Sequence, residues 1–151
     1  PQLLELVKTI EIDGQPLSED PVVRTRLAEY YTKDAGIRNA TNRMLTAVAQ
    51  GGIPGAEAAL GKLVGANMNQ EIGSFAMELM GEAGAVIDET LMPMHSHFQK
   101  ATMFAPGIRL AGGTDEIMRN ILAEQILGMP QEPRADKGMP YCEIPSGNQS
   151  A

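Results

Sequence analysis

The 151-residue sequence predicts an all-α fold, an antiparallel helix bundle, from three observations. Apolar residues recur at helical spacing over two long stretches, 23–48 and 60–79. Breaks rich in glycine and proline, at 50–55, 81–84 and 106–107, separate the helical stretches. Strand-like alternation never lasts more than a few residues, and there is no internal repeat.

The elements follow in order. Residues 2–9 read as a short helix, or as the end of one begun upstream. The run IDGQPLSED, 12–20, reads as a loop from its Gly, Pro and Ser. Asp20 can cap a helix, and Pro21 suits the first helical position. Behind them Val23, Leu27, Tyr30, Ile37, Met44 and Val48 share one helix face. Asp34 and Thr41 occupy the two vacant places on that face. They read as rim positions, or as buried polar contacts to a partner or ligand.

QGGIPG, 50–55, stops this helix and makes a tight connection. A second helix is predicted over about 56–80. Leu60, Val64, Met68, Ile72, Phe75 and Leu79 mark its apolar face. Ala56, Ala59, Gly61, Gly65, Ala66, Gly73 and Ala76 make it rich in small residues. Each glycine costs helix propensity, which a close neighbouring helix can offset. A short turn between two long helices makes an antiparallel hairpin. A third helix is predicted near 92–104, ending before Pro106-Gly107. The last starts at Thr114 as cap, with Asp115 and Glu116 in its electropositive first turn. Ile117, Ile121 and Leu122 are its expected buried residues. Gly128 and Pro130 end it. Residues 131–151 then read as an irregular, polar tail.

Composition removes several function classes. A net charge of −7 argues against nucleic acid or an anionic membrane as main partner. No apolar run approaches the roughly 20 residues that span a bilayer. PQLLELVK at the start lacks the features of a signal peptide, and the absence of an initiator methionine is expected of a piece of a longer chain. Cys142 is the single cysteine, which excludes an intramolecular disulfide and fits a reducing, cytoplasmic setting. Ten methionines against no tryptophan make methionine a main core filler, or the lining of a flexible pocket.

Few residue patterns carry chemistry. A di-iron bundle needs Glu-x-x-His on two helices, and the sequence has none. His95 and His97 are two apart and do not share a helix face, so no metal site is assigned. Cys142 lacks a flanking histidine, and G-x-S-x-G is absent. Glu78 and Glu82 lie one turn apart, as an acid/base pair or a solvated face. Gly112-Gly113 before a helix start can be a plain turn, or a corner offering backbone N–H groups to a ligand. Asp115 and Glu116 argue against a bare phosphate there.

GGTDEIMRNILAEQILGMP, 112–130, resembles the closing motif of the acyl-CoA dehydrogenases, and the similarity continues into PRADKGMPY. AMELMGEAGA, 76–85, resembles that family's Gln-x-x-Gly-Gly-x-Gly stretch. Gly81 and Gly84 match it, while Glu78 and Glu82 replace the glutamine and the second glycine. PLSEDPVVRTRLAEYY, 16–31, is similar to a helix entry in the same domain.

The resemblance implies a C-terminal four-helix bundle over 1–130 with its first helix missing or truncated. It implies an FAD enzyme that dehydrogenates an acyl-CoA between its α and β carbons and passes electrons to an electron-transferring flavoprotein. Carried over by position, Thr114, Asp115 and Glu116 approach FAD, and Glu78 and Gly81 approach its adenosine end. Gly113 lies beside the acyl thioester. Glu124 falls where some members have a basic CoA contact, so that contact is not supported. Gly112 occupies the place of the glutamate base of one branch, so no catalytic residue is assigned to this chain. Such a segment contributes cofactor contacts and an interface within a homo- or hetero-oligomer, a dimer or tetramer, and is inactive alone. The alternative is a non-catalytic oligomerisation or scaffold bundle of a dehydrogenase-like subunit.

Overall fold

The computed structural model describes residues 1–53, 55–131, 136 and 138–144. Five α-helices carry the fold among them: α1 (Gln2–Thr9), α2 (Pro21–Ala49), α3 (Ala58–Leu79), α4 (His97–Leu110) and α5 (Asp115–Ile121). Asp20 caps α2 by accepting from the Val22 and Val23 amides at 2.8 and 2.9 Å, with Pro21 at the first position. The predicted turn at 50–55 lies partly outside the described residues, and so does much of the expected tail. Within the tail, Tyr141–Glu143 forms a 3₁₀ turn.

Four expectations need correction. The loop at 12–20 contains all but the first residue of a small hairpin, β1 (Glu11–Ile12) paired antiparallel with β2 (Gln15–Pro16). Asp13 and Gly14 turn it with φ of 53° and 76°, the geometry of a two-residue hairpin turn. The third helix begins at His97, not 92, and runs through Pro106 to Leu110. Pro106 sits on its exposed side, and the last turn is held by bonds the local sequence does not announce. On α3 the fully buried residues are the small ones, Ala59, Ala66, Gly73 and Ala76; of the predicted apolar face Met68, Ile72, Phe75 and Leu79 pack half-buried against the core, while Leu60 is exposed. In α5, Met118 and Asp115 point inward, while Ile117 is 49% exposed.

The helices run antiparallel. Between α2 and α3, Tyr30 meets Phe75 with ring centroids 6.2 Å apart, and Lys33 pairs with Glu71 at 2.5 Å. Farther along, Ile37 reaches Gly61 and Gly65. Between α3 and α4 the approach is closest at Gly73. A methyl group there would clash with the Thr102 hydroxyl and lie 3.2 Å from its backbone nitrogen. The hydroxyl cannot simply turn away, because it donates to the Phe98 carbonyl at 2.9 Å.

The main core sits at one end of the bundle. Leu3, Leu6 and Val7 of α1 meet Leu17, Val23, Tyr30, Ala76 and Phe98 there. At the other end of the hairpin Leu45 and Val48 stay exposed, and Ile53 is 89% exposed. Asp34 of α2 is exposed and paired with Arg38, and Thr41 is exposed too, which places both on the rim.

Replacing Gly73 by Leu should cost at least about 1–3 kcal/mol, the range for overpacking a tight core. Urea unfolding of the variant reads this directly. Asp20→Ala should cost about 1 kcal/mol through the lost cap, without changing the helical circular dichroism of the folded state.

Candidate functional site

The site is built where α4 ends and α5 begins. The chain turns through Gly112 and Gly113 at φ of +70° and +114°, conformations that favour glycine. Gly112 faces open space. Gly113 is pressed on α5: a Cβ there would lie 2.5 Å from the Met118 methyl. Thr114 caps α5, its hydroxyl accepting from the Ile117 amide at 3.3 Å. Directly after α5 the helix widens into a π-turn over Leu122–Ile126, containing Glu124. Gly128 follows at φ 66°, with the Met129 amide on the Ala123 carbonyl.

Side chains from α3 and α4 hold this corner. Asp115 is 3% exposed. Its Oδ2 accepts from Arg109 Nε at 2.8 Å, Arg109 Nη2 at 2.5 Å and Asn67 Nδ2 at 3.1 Å. Arg109 also donates through Nη1 to Gln70 Oε1 at 2.9 Å. Asp115 Oδ1 is buried without a hydrogen-bond partner among the described residues. Lys62 donates to the Arg109 carbonyl at 2.8 Å and to the Gly113 carbonyl. The sequence reading missed Lys62, Asn67, Gln70 and Arg109. Their only signal was that an acidic residue buried at a helix start needs a cationic partner.

Two clefts adjoin the corner and share Gln70 and Arg109 as a wall. One, about 260 Å³, is also lined by Pro106, Leu110, Thr114, Asp115 and Glu116. The other, about 400 Å³, runs along α2 and α3 past Arg26, Tyr30, Glu71, Phe75 and Glu78. The structure thus brings Thr114, Asp115 and Glu116 to one cleft and Glu78 to its neighbour. Gly81, at φ 57°, and Glu82 are exposed beyond the end of α3, outside both. His95 lies in a left-handed turn with Nδ1 2.9 Å from the Glu89 carbonyl, and His97 packs edge-on against Phe98. Cys142 is exposed and unpaired.

Charge states follow from these contacts. The Arg109 hydrogen bonds hold the Asp115 carboxyl below its ordinary range, with help from Asn67 and against the opposing effect of burial. The Glu116 carboxyl is lowered by its own backbone N–H at the start of α5 and by the Thr114 hydroxyl. Burial raises the Tyr30 phenol, against the lowering charge of Arg26.

A family profile described as acyl-CoA dehydrogenase, C-terminal domain, matches residues 1–127. The chain belongs to the acyl-CoA dehydrogenase family. Acyl-CoA dehydrogenase IpdE1 of Mycolicibacterium smegmatis is 30% identical over 115 residues, covering 76% of this chain and 27% of that protein. The protein of the same name from Mycobacterium tuberculosis is 29% identical over 131 residues, 85% of this chain and 32% of that one. The chain spans about a third of the length of these relatives. Among solved structures, an acyl-CoA dehydrogenase from Geobacillus kaustophilus superposes with a TM-score of 0.69 at 25% identity, over 83% of this chain and 31% of that one. The ChsE4-ChsE5 complex of Mycobacterium tuberculosis gives 0.72 at 22% identity, over 86% and 34%. No helix among the described residues is long and apolar enough to cross a membrane.

Lowered carboxyl pKa values in the dehydrogenase bundle have a defined pH consequence. Asp115 and Glu116 stay ionised in the fold where the unfolded chain already takes up protons. Their contribution is complete above the unfolded values, about pH 4, and is lost as pH falls through the lower folded ones. Melting temperature should therefore drop as pH is lowered below about 4. Asp115→Asn should melt lower at neutral pH and show a shallower acid slope; melts over a pH series check both.

Proposed function

We propose that this chain is the C-terminal helical domain of a flavin-dependent acyl-CoA dehydrogenase. It supplies one edge of the FAD site and an oligomer interface, and it has no activity by itself. The observation that carries this reading is the corner at 112–116, lying beside a cleft in a chain that matches the family over residues 1–127.

The residues present fit part of the cofactor. The cleft at Thr114 is about 260 Å³, below the roughly 300–1,000 Å³ of a complete small-molecule site. The Thr114 hydroxyl and the Gln70 amide suit a neutral, hydrogen-bonding edge. Glu116 and, in the neighbouring cleft, Glu78 put negative charge where a pyrophosphate would be repelled. Thr114 and Glu116 would meet the flavin side, Gly113 would border the thioester, and the phosphates would be held by residues of another domain or subunit. Bound flavin would accept the β-hydride of the acyl thioester.

Proton removal falls to a group outside this corner. Gly112 has no side chain. Asp115 is tied to Arg109 and Glu116 to the helix start, and both carboxyls are lowered. A general base works best with a pKa near the operating pH, so both are poor bases.

The oligomer reading has its own support. The Tcur3481-Tcur3483 steroid ACAD is 26% identical with a TM-score of 0.66, over 76% of this chain and 30% of that one, and its name joins two components. A homo- or hetero-oligomer, with electrons passing to an electron-transferring flavoprotein, is the assembly we assign.

The isolated 151-residue chain should be colourless and should reduce no dye with any acyl-CoA. The full-length protein should carry the absorbance of bound FAD, and Thr114→Ala should make that flavin easier to dialyse away. A stoichiometric flavin spectrum in the isolated chain would defeat the reading of an incomplete site.

A further inference from the structure

We infer that Lys62 is a positioning residue, whose ammonium selects one conformation of the Gly112–Gly113–Thr114 corner by pinning the Gly113 carbonyl to α3. The inference deepens the functional reading above and rests on it for the corner's role toward flavin.

Three observations support it. First, both hydrogen-bond partners of the half-buried Lys62 ammonium are carbonyls, those of Arg109 and Gly113. One belongs to the last turn of α4, where backbone carbonyls lack helical partners and a cation is favoured. The other belongs to the corner itself. A single charge therefore ties the end of one helix to the peptide that leads into the next.

Second, that peptide needs an external restraint. Gly112 and Gly113 both lie at positive φ, and glycine pays more entropy than any other residue to hold one conformation. The Gly113 amide bonds to the Leu110 carbonyl at 3.2 Å, near the upper limit for such a bond. Lys62 adds a charge-assisted bond from an α3 side chain, which is stronger than a neutral one.

Third, the restraint has a direction. The C=O of Gly113 and the N–H of Thr114 share one planar trans peptide and point opposite ways. Holding the carbonyl toward α3 turns the Thr114 N–H away from α3. Lys62 thus sets how Thr114, one of the residues proposed to meet the flavin, enters its helix. The Arg109–Asp115 pair holds the following residue independently, through side chains rather than the peptide.

The test uses the full-length protein with Lys62→Met and Lys62→Arg. Segment-resolved hydrogen exchange is followed across 110–118 and across the core segments of α1 and α3. A hydrogen bond to a charged group is worth roughly tenfold or more in a local opening equilibrium. Lys62→Met should speed exchange at the corner by about that factor while the core segments keep wild-type rates. Lys62→Arg should restore much of the protection. Flavin should also dissociate faster from Lys62→Met than from wild type, with Lys62→Arg in between. Unchanged corner exchange in Lys62→Met would overturn the proposal, as would equal acceleration everywhere, which marks a general structural role. A wild-type protein that takes up no flavin would defeat the functional reading instead; corner exchange would then decide the role of Lys62 alone.

Discussion

The close approach of α3 and α4 at Gly73 sets the rest of the molecule. A side chain at that point would hold the helices apart, because the opposing atoms are backbone of Phe98 and Thr102 and a hydroxyl already committed to a bond. With the axes close, the N-terminal half of α3 comes within side-chain reach of the end of α4. Lys62, Asn67 and Gln70 then meet Arg109, Gly113 and Asp115. The corner thus depends on helix packing about three turns away as well as on its own glycines. The glycines of α3 lower its intrinsic helix propensity, and the buried contacts with α4 offset that loss.

The functional corner also shows a division of labour between charge and shape. Glycines give the chain a path that other residues resist, and they leave that path loose. Two cations then fix it, one through a backbone carbonyl and one through a buried carboxylate. A carboxylate removed from water is tolerated only with such partners. That commitment explains why Asp115, although first in the helix and beside the cleft, offers little to proton transfer. Among the described residues only its Oδ1 is left without a donor.

How far the sequence led depends on how local each signal was. Asp20-Pro21 and Thr114 were legible because a cap and its amides lie within three residues of each other. The antiparallel hairpin of α2 and α3 was legible from periodicity and a glycine-rich break. The strand pair was overlooked because its strands are two residues long, although Asp13-Gly14 is a turn signal. The continuation of α4 through Pro106 was hidden for the opposite reason: its last turn is fixed by Lys62 and Gln70, 47 and 39 residues away in the chain. The inward face of α5 was misjudged because hydrophobicity favours Ile117, while the salt bridge pulls Asp115 inward and brings Met118 with it. Of the corner, the motif residues could be found in the sequence; the side chains that hold them could not.

The main core and the corner lie at different levels of α3. Ala76 packs in the core and Lys62 binds the corner, about 21 Å apart at 1.5 Å per residue along the helix. Sites so far apart with no shared neighbours respond to substitution almost independently. Of residues 112–116, the exposed Glu116 can therefore change with little effect on the main core, whereas Gly113 and the buried Asp115 are held by their contacts with Met118 and Arg109. A bundle built this way is an evolvable platform: one lineage can keep the scaffold while its chemistry moves to another helix or another chain.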